Sequence, residues 1–450
     1  MASRRSSILT HLRCLYLGDR FFVGLGLVCV LSAIGFWKTP AFWLAVLLLI
    51  VLVATTVLDA VRLYACAGQL TARRRPPEVF SLGDEMEVRI SLHNGSSASL
   101  SVSIMDELPV QLQYRDHEIS LGLSFGEKRA VNYRVRPLTR GRYGFGNLNV
   151  YIRTKLGLME RRVIFTQPQE VAVYPSILQM KRFSLGGNIS APASGRHRPR
   201  PVTQSYEFDQ IKEYVRGDDL RSVNWKATAR RGEVMVNQYR DERAQRIYCV
   251  IDKGRTMLMP FGGLSLLDYS INTSLALSNV VLKRGDRAGI LTFSDKLGDV
   301  VAADNRPDQL RNILETLYRQ LERPGESDYD LLYYATRRFT AGRSLLILFT
   351  NFESSYALDR VLPALRRIGR DHRLMVVLFE NTEVTDLLAD RAVDVESVYR
   401  KHTARRYVQE RQLMAARLRQ NGVDVLLTRP EELTGRALQR YLELKGRGAI

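Results

Sequence analysis

Two long apolar runs open the chain, and a series of shorter runs follows them. From Phe21 to Leu58 the one charged residue is Lys38, and Lys38-Thr39-Pro40 splits this stretch into segments of 17 and 18 residues, 21–37 and 41–58. Each is close to the ~20 residues a helix needs to cross a hydrocarbon layer of about 30 Å. The pattern therefore predicts a two-helix membrane anchor within residues 1–75. Arg4, Arg5, Arg13 and Arg20 precede the first run and Arg62, Arg73, Arg74 and Arg75 follow the second, which predicts that both termini face the cytoplasm. Trp37 and Trp43 flank the connecting loop, where indole rings favour the headgroup layer. A cleaved leader is the competing reading, but no small-residue cleavage pattern stands before Lys38.

After Pro76-Pro77 the period changes to two. Runs such as EMEVRISLHN, LSVSIMDELP and KRAVNYRVRP, separated by Asn-Gly, Pro and Gly turns, predict an antiparallel Ig-like β-sandwich over residues 76–180. Residues 181–244 read as a connecting region. Its segment from Ser184 to Val202, rich in Gly, Ser, Pro and Arg, has no apolar period and reads as a mobile loop. From 245 to 450, near-continuous apolar strands (RIYCVID, RAGILTF, SLLILFT, RLMVVLF, VDVLLT) alternate with helical patterns. The helices are expected at about 265–284, 308–321, near Leu331, 358–369, 404–419 and 437–444. Strands of this kind suit a sheet covered on both faces, so the expected architecture is a doubly wound α/β domain with a largely parallel sheet.

In such a sheet, ligands bind beyond the carboxyl ends of the strands. The first such loop reads Asp252-Lys253-Gly254-Arg255-Thr256. A carboxylate followed by hydroxyls two and four residues later resembles the site at which von Willebrand factor type A domains hold a divalent cation. The resemblance implies Asp252, Thr256, Ser327 and Asn351 as a degenerate ligand set for Mg²⁺. Gly254 offers no side-chain oxygen, Asn351 replaces an expected Asp, and Lys253 and Arg255 add positive charge where a cation would sit. The opposing reading gives Asp252 a structural role, capping a helix or ordering its loop.

A second constellation runs from Glu213 to Arg230. Gly217-Asp218-Asp219 predicts a turn and an acidic cap for a helix bearing Leu220, Val223 and Ala227, with Trp225 packed on a neighbouring strand. The run YVRGDDLRSVNWKATARRGEVMVNQY, with RGRYGFG and VAVYPS upstream and FENTEVTDLL downstream, resembles the bacterial family catalogued as domain of unknown function number fifty-eight. Tyr214, Gly217, Asp218, Asp219, Arg221, Asn224, Trp225, Lys226 and Arg230 carry the signature. The resemblance implies a membrane-anchored interaction scaffold or adaptor with a degenerate type A domain, working with a MoxR-type AAA+ ATPase in chaperone-like assembly or envelope-related processes.

Composition narrows the alternatives. Four Cys and six His show no CxxC or HxxxH spacing, which argues against disulfide staples and zinc sites. The formal charge of +19 suits nucleic acid, an anionic membrane or an acidic partner. No helix-turn-helix, RNA-recognition or finger pattern accompanies Arg196, His197, Arg198 and Arg200, so nucleic acid is disfavoured, and the juxtamembrane Arg73 to Arg75 point to anionic lipid. An enzyme using Asp218, Asp219, Lys226 and Arg230 as a polar pocket is the remaining alternative. No GxSxG, P-loop, HExxH or strand-linked GxGxxG supports it, and the sequence assigns no catalytic residue and no cofactor beyond the Mg²⁺ that the type A resemblance implies.

Overall fold

A computed structural model describes residues 14–114, 118–185, 207–215, 223–240, 244–340, 342–389, 391 and 394–448. The chain forms two compact units, Met1–Tyr174 and Pro175–Ile450.

The first unit contains β1 (Leu15–Leu17), α1 (Asp19–Gly35), α2 (Thr39–Ala67), β2 (Leu70–Arg75), β3 (Val79–Ser81), β4 (Met86–Asn94), β5 (Leu100–Asp106), β6 (Glu118–Leu123), β7 (Lys128–Val135), β8 (Gly141–Phe145), β9 (Leu148–Arg153), β10 (Met159–Phe165) and β11 (Gln169–Tyr174). The strands make sheets in the orders β1-β10-β9-β5-β6, β2-β4-β7 and β3-β11-β8. Strict alternation explains why: in β4 the side chains of Val88, Ile90 and Leu92 are buried while Glu87 and Arg89 are exposed. The segments flanking the apolar runs belong to this fold, since β1 pairs with β10 and β2 with β4.

The apolar runs are helical, but one helix among the described residues, α2, is long and apolar enough to cross a membrane. The 17 residues of α1 reach only about 26 Å, short of a hydrocarbon layer, whereas the 29 of α2 reach about 43 Å. Of the two crossings expected, the described residues therefore supply one helix of spanning length, α2, and α1 does not meet the expectation. Much of α2 before Asp59 is exposed and apolar; beyond it Leu63, Cys66 and Ala67 are buried. Asp59 makes the change. Its carboxylate accepts from Thr154 Oγ1 and from the backbone N–H groups of Leu158 (3.2 Å) and Met159 (3.1 Å). The same turn holds the start of α1, through Gly18 N–H to Leu158 O (2.8 Å) and Arg20 Nη1 to Lys155 O (2.9 Å).

The second unit contains α3 (Ile177–Leu185), β12 (Glu207–Glu213), α4 (Trp225–Arg231), β13 (Met235–Arg240), β14 (Arg246–Asp252), β15 (Pro260–Phe261), β16 (Leu264–Ser265), α5 (Leu266–Lys283), β17 (Arg287–Phe293), β18 (Leu297–Asp304), α6 (Gln309–Tyr318), α7 (Tyr329–Phe339), β19 (Leu345–Phe349), α8 (Ser355–Asp371), β20 (Arg373–Phe379), α9 (Thr382–Ala389), α10 (Val395–Gln420), β21 (Asp424–Thr428) and α11 (Leu433–Gly446). Its main sheet has the order β18-β17-β14-β19-β20-β21, parallel except for β18, which runs antiparallel to β17. Ile247, Cys249 and Ile251 of the central strand enter one apolar layer with α5 and α11, while Tyr248 and Val250 enter another with α7, α8 and α10. Burial on both faces is why the strand reads as a continuous apolar run.

Two expectations change here, and a third is not reached by the described residues. β18 follows β17 after a three-residue turn and was not marked by its half-exposed, charge-bearing pattern. α10 begins at Val395, nine residues before the expected Ala404, because Asp394 and Ser397 form a capping box that the apolar period does not reveal. The predicted loop 184–202 lies outside the described residues after Leu185.

Candidate functional site

β14 delivers Asp252 to the carboxyl edge of the sheet, where its carboxylate is almost fully buried. Both oxygens are committed. Oδ1 accepts from Gly254 N–H (2.8 Å) and Ser327 Oγ, and Oδ2 from Thr350 Oγ1 (2.7 Å) and Tyr329 OH (3.1 Å). Thr350 follows β19, the parallel neighbour of β14, and Tyr329 opens α7, so three segments converge on one carboxylate. Every donor is neutral. Burial therefore dominates and raises the Asp252 pKa despite the four hydrogen bonds that oppose the rise.

The expected ligand residues do gather around this floor, since Asp252, Thr256, Ser327 and Asn351 all line one small cleft. Their donor chemistry does not fit a divalent cation. Mg²⁺ needs about six oxygens and enough negative charge to give up water, yet Asp252 supplies the one carboxylate of the set and spends it on protein donors. Asn351 Oδ1 accepts instead from Arg411 Nη1 (2.6 Å), and that buried guanidinium is held by Tyr407 OH (2.8 Å). A Cβ on Gly254 would overlap Ser327 Oγ and sit 3.1 Å from Gly325 O, so the hydroxyl of Ser327 fills the space a ligating side chain there would need. Among the described residues no group of three or more His, Cys, Asp and Glu assembles around a metal-sized space.

Neighbouring groups are equally committed. Lys253 Nζ donates to Gln320 Oε1 (3.0 Å), and burial lowers its pKa. Burial also pushes the Cys249 thiol up to about 12, which keeps it protonated and non-nucleophilic at neutral pH. The rim differs from the floor: Arg255, Glu326, Glu353 and Arg360 are exposed and paired, with Arg255 to Glu353 at 3.1 Å and Arg360 to Glu326 at 2.9 Å. Sequence reasoning missed Tyr329, Thr350 and Arg411. Thr350 had a signal, being the residue immediately after an apolar strand, while Arg411 lies in a polar helical run that carries none.

The signature forms a smaller structure. β12 and β13 make a two-stranded antiparallel ladder, and α4 packs beside it. The helix is capped by Asn224, whose Oδ1 accepts from Ala227 N–H (3.0 Å) and whose Nδ2 donates to Asn237 Oδ1 (2.8 Å). Thr228 Oγ1 accepts from Met235 N–H (3.0 Å), tying helix to strand. The expected cap and start are corrected accordingly: the helix begins at Trp225, and Val223 lies in a β-bridge to Val236. Trp225 is 74% exposed rather than packed on a strand, and Lys226 and Arg230 are exposed beside it. Tyr214 closes the ladder through its N–H to Val234 O (2.8 Å). Gly217, Asp218, Asp219 and Arg221 lie outside the described residues, as do Arg196, His197, Arg198 and Arg200.

The chain is 22% identical over 238 residues to the uncharacterized protein YeaD of Bacillus subtilis, an alignment covering 48% of this chain and 57% of that protein. The alignment therefore spans little more than half of that relative's length. Among solved structures, the conserved hypothetical protein BatB from Bacteroides thetaiotaomicron is 12% identical, with 45% of this chain and 99% of that chain covered at a TM-score of 0.29. The ASH/PapD-like domain of human CEP192 is 15% identical, with 24% and 87% covered at 0.19. The signature region is similar to a family: residues 210–408 match the model of the protein of unknown function DUF58 family, a stretch that takes in the ladder, α4 and most of the parallel sheet.

Proposed function

We propose that the protein is a membrane-anchored interaction scaffold whose second unit is a degenerate von Willebrand factor type A domain, recruiting a MoxR-type AAA+ ATPase in chaperone-like assembly or envelope-related processes. The carrying observation is the carboxyl-edge cleft. Its one buried carboxylate is saturated by internal donors and cannot serve as base or metal ligand without breaking them, while its charged rim is open to a protein surface. The strand order, with its antiparallel edge β18 beside β17, supports the type A reading. The anchor reading rests on α2; the docking of Asp59 and of the start of α1 on the same turn from Thr154 to Met159 supports both apolar helices leaving the first unit on one side, and the flanking arginines favour the cytoplasm for that side.

In-membrane photocrosslinking from probes at Arg360 and at Trp225 tests this reading. Crosslinks from the Arg360 position to an AAA+ ATPase, lost when Arg255→Glu is added, are expected. A full-length chain that crosslinks to no ATPase from either position in cells expressing one overturns it.

A further inference from the structure

Strand register places several exposed groups at the end of the first unit that receives the helices. Arg153 at the end of β9 lies opposite Ser101 and Glu160, and Leu100 lies opposite Leu123. The turn from Ser124 to Glu127 and the turn from Thr154 to Met159 are therefore at the same end. The first is fixed beside the exit of α2, by Asn94 Nδ2 to Ser124 O (3.0 Å) and Gly95 N–H to Gln69 O (3.1 Å). At its tip Phe125 is 68% exposed, followed by Gly126 at φ +69°, and Leu156 on the other turn is 44% exposed.

The outward face of β2-β4-β7 leads away from this end in register rows: Thr71, His93 and Lys128; then Arg73, Ser91 and Ala130; then Arg75, Arg89 and Asn132. Lys128, Arg73, Arg75 and Arg89 are exposed and have no carboxylate partner among the described residues. Carboxylates enter this face only in the next row, where Glu87 lies opposite Arg134 and pairs with it at 3.5 Å. The rows border an open groove of about 890 Å³. Arg74, which the sequence grouped with Arg73 and Arg75, is buried on the other face in an ion pair with Asp106.

We propose that this end of the first unit is a second lipid contact, in which Lys128 and Arg73 bind the phosphates of acidic phospholipid headgroups while Phe125 enters the interfacial layer. The proposal rests on the membrane-anchored reading of α2. Continuity with that helix selects a bilayer over a free anion, and the one-sided charge selects acidic headgroups. Attraction falls off over a Debye length of about 8–10 Å, so Lys128 and Arg73 should outweigh Arg75 and Arg89.

The test uses the full-length chain in nanodiscs of equal parts phosphatidylcholine and phosphatidylglycerol, with retained lipid identified by native mass spectrometry. Enrichment of phosphatidylglycerol is expected in wild type, falling about fivefold for each of Lys128→Gln and Arg73→Gln. Arg134→Gln, on the same face but already paired, should leave it unchanged. Hydrogen exchange of residues 122–130 should slow in the acidic discs relative to pure phosphatidylcholine. Equal retention of both lipids by an inserted chain, or enrichment unaffected by the Lys128 and Arg73 changes, overturns the proposal alone. Enrichment abolished by millimolar inorganic phosphate marks a free-anion site and also overturns it. A chain that does not insert removes the anchor reading and this proposal together.

Discussion

Asp106 and Asp252 are both sealed inside their units, yet they are balanced by opposite means. Asp106 meets a full positive charge from Arg74 as well as the Tyr133 hydroxyl at 2.5 Å. Arg74 in turn donates to Gly146 O (2.9 Å) and lies over the Phe145 ring at 4.8 Å. Since Arg74 is on β2, Asp106 on β5 and Phe145 on β8, this one cluster binds all three sheets. Asp252 meets only hydroxyls and an amide, which orient a charge without cancelling it. Burial therefore leaves one unit with a neutralised clamp and the other with a carboxylate held against its preference for water.

The sharpest way to break this contrast is to unbalance the clamp. Arg74→Ala strands a buried carboxylate, and a loss of about 3–5 kcal/mol is expected, seen as early proteolysis of the first unit of the full-length chain under urea titration. Next in size, Gly254→Ser adds a side chain where the Cβ alone would meet Ser327 Oγ; a loss of about 1–3 kcal/mol is expected. Adding Ser327→Ala to it should recover part of that loss, and strict additivity of the two changes would refute the steric account.

The smallest effect concerns pH. With its pKa raised on folding, Asp252 holds its proton more tightly in the folded unit than in the unfolded chain. Its contribution to stability is therefore fully present below the usual carboxylate range and is lost as pH rises through the raised folded value. Asp252→Asn should flatten that decline, because the amide keeps an acceptor for Ser327 and Gly254 and its Nδ2 can donate to Thr350 Oγ1 and Tyr329 OH. Urea titrations of both chains between pH 4 and 7 would show it; parallel curves would count against the balance described for this carboxylate.

Much of the sheet was legible because two-sided burial writes apolar runs that local pattern can find, and Asp252 was legible as the polar residue ending the first of them. What surrounds it was not. Tyr329 and Thr350 arrive from 77 and 98 residues away, brought in by strand order rather than by spacing. Arg73 to Arg75 read as one basic cluster until strand alternation sent the middle arginine inward. Trp225 read as a packed aromatic because its neighbours suggested a longer helix, whereas the Asn224 cap starts the helix at the tryptophan itself.

The Asp59 clamp has a mechanical consequence. α2 runs without a break from its exposed flank into the packed segment ending at Ala67, so the sheets of the first unit are carried on a rod and not on a flexible tether. With α2 inserted as proposed, torque applied to the first unit would be passed to the bilayer as a change of helix tilt, and its standing height above the lipid plane would be set by where Asp59 falls along the rod.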